Sequence, residues 1–183
     1  MQFLIETERL ILRELRNEDV NGMFELNSSL EVQRYVGNKP IKSLEEASRD
    51  IEFIQNQYLK NGIGRLAVVE KETGLFIGWG GLKLITEEMN GFKNFYELGY
   101  RFLPKYWGQG FATEVAKASI KYGFEKLKLD SIYAIADVQN IASNHVLQKV
   151  GFTKIEIFNY QGLPHNWLVL HNSVQANIEG ENS

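Results

Sequence analysis

The stretch Tyr106-Trp107-Gly108-Gln109-Gly110-Phe111-Ala112-Thr113 carries the residue types of an anion cradle. It joins a strand-like run to the start of a strongly amphipathic segment. There, free backbone N–H groups and the positive end of a helix dipole converge on one spot. Gly110 and Ala112 lack the bulk that would keep a pyrophosphate away from the main chain, although the same residues also suit a tight turn with no ligand. A P-loop is excluded because no Gly-Lys-Ser/Thr ending follows. A dinucleotide fold is excluded because a third glycine is missing and the turn lies far from the first strand. Gly78-Trp79-Gly80-Gly81 lies inside a strand pattern, where a bulge or close packing is the expected cause. Two further places carry usable groups. Asn140 with Ser143 opens a short helix, where both also make good capping chemistry. Glu97 sits on a strand, where it has Lys83 as a cross-strand cation.

The elements that must position these groups follow from periodicity. Thr7 to Arg13 alternates Leu10 and Leu12 with charged neighbours and reads as a strand. Asn17 or Asp19 caps a helix carrying Met23, Phe24 and Leu26. Ser43 followed by Glu46 resembles a capping box for a second helix with Ile51, Ile54, Tyr58 and Leu59 on its apolar face. Leu66 to Val69, Leu75 to Leu84 and Phe92 to Leu103 read as an antiparallel meander. Ala112, Val115, Ala116, Ser119, Ile120, Gly123, Phe124 and Leu127 then mark a helix, and Ile132 to Val138 an interior strand apolar on both faces. A short helix from Ile141 to Val150 ends at Gly151, in the left-handed position, with Phe152 folding back on Leu147. Strands near Thr153 to Tyr160 and Trp167 to His171 close the domain, and a polar tail occupies residues 172–183.

Length and composition set the outer limits. The 183 residues, 44% of them hydrophobic, suit one globule that buries on the order of 70% of its unfolded surface. Twenty Lys and Arg against 23 Asp and Glu provide no basic footprint for nucleic acid. No run is long and apolar enough for a membrane span, and Glu6, Glu8 and Arg9 come too early for a signal peptide, so a cytoplasmic location is expected. The absence of cysteine removes disulfides, thiolate nucleophiles and cysteine-based metal sites. His145, His165 and His171 form no close pair, and no metal is expected.

Several motifs in order resemble one family. Gly108-Gln109-Gly110-Phe111-Ala112-Thr113-Glu114, Asn140-Ile141-Ala142-Ser143-Asn144 and Lys149-Val150-Gly151-Phe152 are similar to the GCN5-related N-acetyltransferases, in particular the ribosomal-protein alanine acetyltransferase branch. Thr7-Glu8-Arg9-Leu10-Ile11-Leu12-Arg13 with Asp19, Ile77-Gly78 and Glu97-Leu98-Gly99-Tyr100 extend the likeness over residues 5–171. It implies a mixed α/β fold: a central, mostly antiparallel sheet of six to seven strands with one parallel, splayed pair, flanked by about four helices.

The resemblance also implies a chemistry. Acetyl-CoA is the expected cosubstrate. The expected acceptor is a primary amine on a ribosomal or other protein N-terminus or on a small molecule, and the enzyme is expected to be a monomer or homodimer. Coenzyme contacts are expected at Phe102, Leu103, Gln109, Gly110, Phe111, Ala112, Thr113, Asn140 and Asn144, with a donor N–H in the Gly99 to Phe102 stretch. Glu97 is the expected base and Ser143 the expected acid. The chain departs from the family pattern at Trp107, where relatives often carry Arg or Gln, and at Leu147, where many carry a tyrosine acid. Leu147 keeps open an alternative, a non-catalytic acyl-CoA sensor of the same fold. The acceptor pocket is expected from Leu30 to Lys42, the Thr86 to Lys93 turn and the Phe158 to Trp167 hairpin, where Tyr35, Tyr160, His165 and Trp167 either line it or pack.

Overall fold

In the computed structural model, which describes residues 3–172, one eight-stranded sheet runs in the order β1-β2-β3-β4-β5-β6-β8-β7. The strands are β1 (Leu4–Glu6), β2 (Leu10–Arg13), β3 (Leu66–Glu70), β4 (Phe76–Ile85), β5 (Phe95–Phe102), β6 (Ser131–Asp137), β7 (Thr153–Tyr160) and β8 (Leu163–His171). The helices are α1 (Val20–Ser28), α2 (Leu30–Gln33), α3 (Leu44–Asn61), α4 (Phe111–Glu125) and α5 (Ile141–Lys149). Every strand pairing is antiparallel except β5 with β6.

The mixed fold expected from the sequence is present, with adjustments that have local causes. The strand expected from Thr7 begins at Leu10. Thr7 instead closes a turn, its N–H donating to the Leu10 carbonyl at 3.0 Å, and the three residues before it form an edge strand too short to show alternation. Asp19 stands at the start of α1 without capping it. Its carboxylate holds Arg13 at 2.7 Å and accepts from the Arg16 N–H at 2.8 Å. Ser43 caps α3 as expected, but Glu46 accepts from Lys42 N–H and not from Ser43. The strand expected from Phe92 starts at Phe95, because Asn94 takes a positive φ of 56° behind a Met89–Phe92 bridge. The hairpin at Gln161 and Gly162 extends the last strand back to Leu163. The tail expected at 172–183 lies, apart from Asn172, outside the described residues.

Helices cover both faces of the sheet. Phe111, Val115 and Ala116 of α4 and Leu147 of α5 pack on Leu82, Leu98, Phe102, Ile132 and Ala134. Met23, Leu26, Ala47 and Ile51 of α1 and α3 pack against Ala67 and Leu103 on the opposite face. Burying each large aliphatic or aromatic side chain contributes roughly 1.5–3 kcal/mol. The α4–α5 layer thus covers one face of β5 and β6, while Phe95, Tyr133, Ile135, Phe158 and Trp167 pack together on the other, and the candidate site lies where these two strands run side by side.

Candidate active site

Two register pairs join the parallel strands, Glu97 to Tyr133 and Leu98 to Ala134. Beyond them β5 continues to Phe102 and β6 to Asp137 without pairing, so the strands part. The Leu103 N–H bonds the Ile77 carbonyl at 3.0 Å. Counting back by twos along this antiparallel ladder, Glu97, Gly99 and Arg101 direct their main-chain groups to β4, and Tyr100 and Phe102 direct theirs to the gap. The Phe102 carbonyl is taken by the Trp107 indole N–H at 2.8 Å, which leaves the Phe102 N–H facing the opening.

The gap belongs to a cleft of about 720 Å³, lined on one side by Gly99, Tyr100, Ala136, Asp137, Asn140 and Ser143. Asn140 caps α5, its Oδ1 accepting from Ser143 N–H at 3.1 Å. Tyr100 Oη lies 3.2 Å from the Ser143 carbonyl oxygen and 3.3 Å from its Oγ. Burial pushes the Tyr100 phenol up to about 12, offset in part by its Ser143 hydrogen bond, so it stays protonated at neutral pH. Asn144 bridges α5 to β6 and β8. Its Nδ2 donates to the Asp137 and Asn140 carbonyls at 2.9 and 2.8 Å, and its Oδ1 accepts from Asn166 at 2.7 Å. Leu147 is buried in the core beneath α5.

After β5 the chain passes through a single 3-10 turn, Pro104–Tyr106, into the glycine turn. Gly108 and Gly110 take φ of 71° and 82°, which only glycine adopts without strain. Gly110 is the N-cap of α4 and no side chain caps it, so the first-turn amides point outward from a 15-residue helix. Arg9 fastens this start from the β1–β2 turn. Its Nη1 donates to the Gln109 carbonyl at 2.9 Å, and its guanidinium lies 4.3 Å from the Phe111 ring centroid.

The opposite wall of the cleft is rich in charge. Glu97 accepts from Arg65 at 2.8 Å and stands 3.4 Å from Lys83 Nζ, so the cross-strand pairing with Lys83 is present and a second cation joins it. The Arg65 guanidinium lies across Gly99, where an added Cβ would stand 2.4 Å from Nη2. Burial pulls Arg65 down from its ordinary value, while the Glu97 charge and hydrogen bond work to keep it protonated. Burial also lowers Lys83. Arg101 donates to Asn27 at 2.8 Å and stacks 4.9 Å from Trp79.

The segments expected to form the acceptor side all reach the cleft, through Tyr35, Gly37 and Lys39, through Met89, and through Tyr160 and His165. Trp167 does not. It is fully buried among Phe92, Phe95, Tyr133 and Phe158. Sequence reasoning missed Arg65, Arg101, Tyr100 and Asp50 as cleft residues. Tyr100 carried a signal as the end of the Glu97-Leu98-Gly99-Tyr100 motif, and Arg101 only as a member of the Gly99 to Phe102 donor stretch; Arg65 and Asp50 carried none. Among the described residues, no three His, Cys, Asp or Glu side chains are grouped to hold a metal ion, and no helix is long and apolar enough to cross a membrane.

A parallel pair that opens beside an uncapped helix start suits a thioester carrier with a diphosphate. Residues 9–153 match the acetyltransferase (GNAT) domain. The chain belongs to that family and is an acetyl-CoA-dependent N-acetyltransferase. It is 34% identical over 168 residues to the uncharacterized N-acetyltransferase YoaA of Bacillus subtilis, covering 89% of this chain and 92% of that one. The spermidine N-acetyltransferase of Vibrio cholerae, solved with CoA and spermine, superposes with a TM-score of 0.71 at 22% identity over 91% of this chain and 98% of that one. The ribosomal-protein-S5-alanine acetyltransferase of Vibrio fischeri superposes with a TM-score of 0.70 at 19% identity, over 93% and 97%. At those identities the two structures share the fold.

Proposed function

We propose that this enzyme binds acetyl-CoA and a primary amine together and transfers the acetyl group directly between them, in the cytoplasm. The observation that carries this reading is the parting of β5 and β6 after Leu98 and Ala134, which leaves main-chain donors facing a cleft. The cosubstrate supplies an acyl group activated as a thioester. The amides of Gln109, Gly110, Phe111, Ala112 and Thr113 hold its diphosphate at the α4 N-terminus. Tyr100 and Phe102 N–H groups grip the pantetheine arm, and one of them donates to the thioester carbonyl oxygen as negative charge grows there. Leu103, buried beneath the turn, sets the course of the chain that carries these donors.

The amine nitrogen attacks the carbonyl carbon, a C–N bond forms, the C–S bond breaks, and the departing sulfur takes a proton. Ser143 provides that proton, and the protonated Tyr100 beside it replaces it. Glu97, oriented by Arg65 and Lys83, receives the amine's proton directly or through water. Asn140 holds the start of α5 and faces the pantetheine, and Asn144 supports it by anchoring α5 to β6 and β8. The acceptor is a protein N-terminus, as in the ribosomal-protein alanine acetyltransferase branch, or a small amine.

Thiol release from acetyl-CoA across an amine panel tests the reading, and amine-dependent release is the expected result. Coenzyme binding with no release for any amine would identify a sensor. No coenzyme binding at all would overturn both.

A further inference from the structure

We infer that the acceptor carries a carboxylate near its amine, and that Arg101 on β5 receives it. This rests on the acetyl-transfer reading and assigns a chemical class to the acceptor. The cleft wall made by α1, α3 and the strands β3 to β5 presents three cations, Arg65, Lys83 and Arg101, against two carboxylates, Glu97 and Asp50. Glu97 is shared by Arg65 and Lys83. Asp50 accepts from Asn27 Nδ2 at 2.7 Å, and Asn27 turns its Oδ1 to Arg101 Nη1 at 2.8 Å. Asn27 thus stands between Asp50 and Arg101, and no carboxylate pairs directly with Arg101 among the described residues.

Arg101 is therefore a half-buried guanidinium in the cleft with one hydrogen bond, one stacked ring at Trp79 and unused donors. Burial pulls it down to about 10, partly countered by Asp50 and reinforced by Arg65, so it remains charged at neutral pH. Holding such a charge out of water is costly unless an anion completes it. The guanidinium fork fits a carboxylate through two parallel hydrogen bonds. The strand also places the group well. Arg101 shares a face of β5 with Gly99 and Glu97, so a carboxylate at Arg101 and an amine near Glu97 lie along one wall beside the opened strands. A polyammonium acceptor such as spermidine would instead meet the surplus positive charge of this wall.

The test uses the full chain, acetyl-CoA and matched acceptors that differ only in the carboxylate: γ-aminobutyrate with propylamine, and glycine with glycinamide. A peptide with an acidic second residue and spermidine complete the set. We expect kcat/KM for each carboxylate member to exceed its partner by about 10-fold or more. Arg101→Gln should reduce that ratio towards one through KM, and Arg101→Lys should restore part of it. A higher rate with the acidic peptide than with free amino acids would still support carboxylate recognition and would identify a peptide as its source. Equal or better turnover of propylamine, glycinamide or spermidine would overturn the assignment while leaving acetyl transfer intact, and so would an unchanged ratio in Arg101→Gln. Absence of thiol release with every amine would overturn the acetyl-transfer reading and this assignment with it.

Discussion

Arg9 Nη2 stands 2.7 Å from Glu114 Oε2, although 105 residues separate the two in the chain. The same carboxylate accepts from Thr7 Oγ1 at 2.6 Å and from the Arg9 N–H at 3.0 Å. The β1–β2 turn is thereby latched to the first turn of α4, directly behind the glycine cradle. A lone exposed ion pair contributes under about 1 kcal/mol, but this latch also fixes the Gln109 carbonyl and therefore the orientation of the amides around it. Arg9→Ala is expected to raise the acetyl-CoA Kd by about 10-fold, measured by calorimetry, with little change in turnover at saturating coenzyme. An unchanged Kd would show that the turn holds its shape without Arg9.

The latch has a defined pH window. Burial pushes the Glu114 carboxyl upward, but hydrogen bonds from Thr7 and Arg9 outweigh it, so the group sits below its ordinary value in the folded chain. Its stabilising contribution is present above the ordinary carboxylate range and is lost as pH falls through the lower folded value. Acid unfolding followed by circular dichroism should therefore be less steep for Glu114→Gln than for wild type. Superimposable acid limbs would count against the latch.

Gly110 separates strain from charge. At φ 82° an alanine costs roughly 1–2 kcal/mol but leaves the amides in place. Gly110→Glu adds a carboxylate at the rim of the proposed diphosphate site, its Cβ 3.5 Å from Arg9 Nη2. We expect Gly110→Ala to weaken coenzyme binding modestly and Gly110→Glu to abolish it in a folded protein. Retained affinity in Gly110→Glu would remove the cradle.

The Tyr100 and Ser143 hydroxyls are proposed to act in series. Ser143→Ala should lower kcat by about 10-fold or more with little change in coenzyme affinity. Tyr100→Phe should produce a smaller loss, and the double variant should be no worse than Ser143→Ala. Additive losses in a rate measurement would mean that the two hydroxyls act independently.

Glu97 is both a proposed base and the partner of a buried guanidinium. Glu97→Gln should slow acetyl transfer most at low pH, where the amine is protonated, and leave Arg65 without its counter-charge at a stability cost of roughly 3 kcal/mol. Thermal unfolding and a pH–rate profile read the two effects separately. A lowered Tm with an unaltered pH profile would leave Glu97 a purely structural role.

The parts of the site legible beforehand are local ones. Gly108, Gly110 and the amphipathic run after them mark the proposed cradle, because positive φ and an uncapped helix start are properties of neighbouring residues. Asn140 capping α5 and Gly151 ending it, with φ 101°, were readable for the same reason. Trp167 shows the limit. A tryptophan near a pocket segment has the same local pattern whether it lines a cleft or fills a core, and here it fills the core.

By itself, the sequence determined the order of the longer strands and helices, the glycine turn and the family resemblance, since each is encoded in short-range spacing; the short β1 and α2 were not legible. Tertiary structure alone decided where β5 leaves β6, and that Arg65 and Arg101 join the Glu97–Lys83 pair on one wall. Those residues come from ahead of β3, from β4 and from β5, and sheet register brings them together. Register is fixed when the buried faces of strands distant in the chain are matched to one another, and the pattern of one segment does not name its partner.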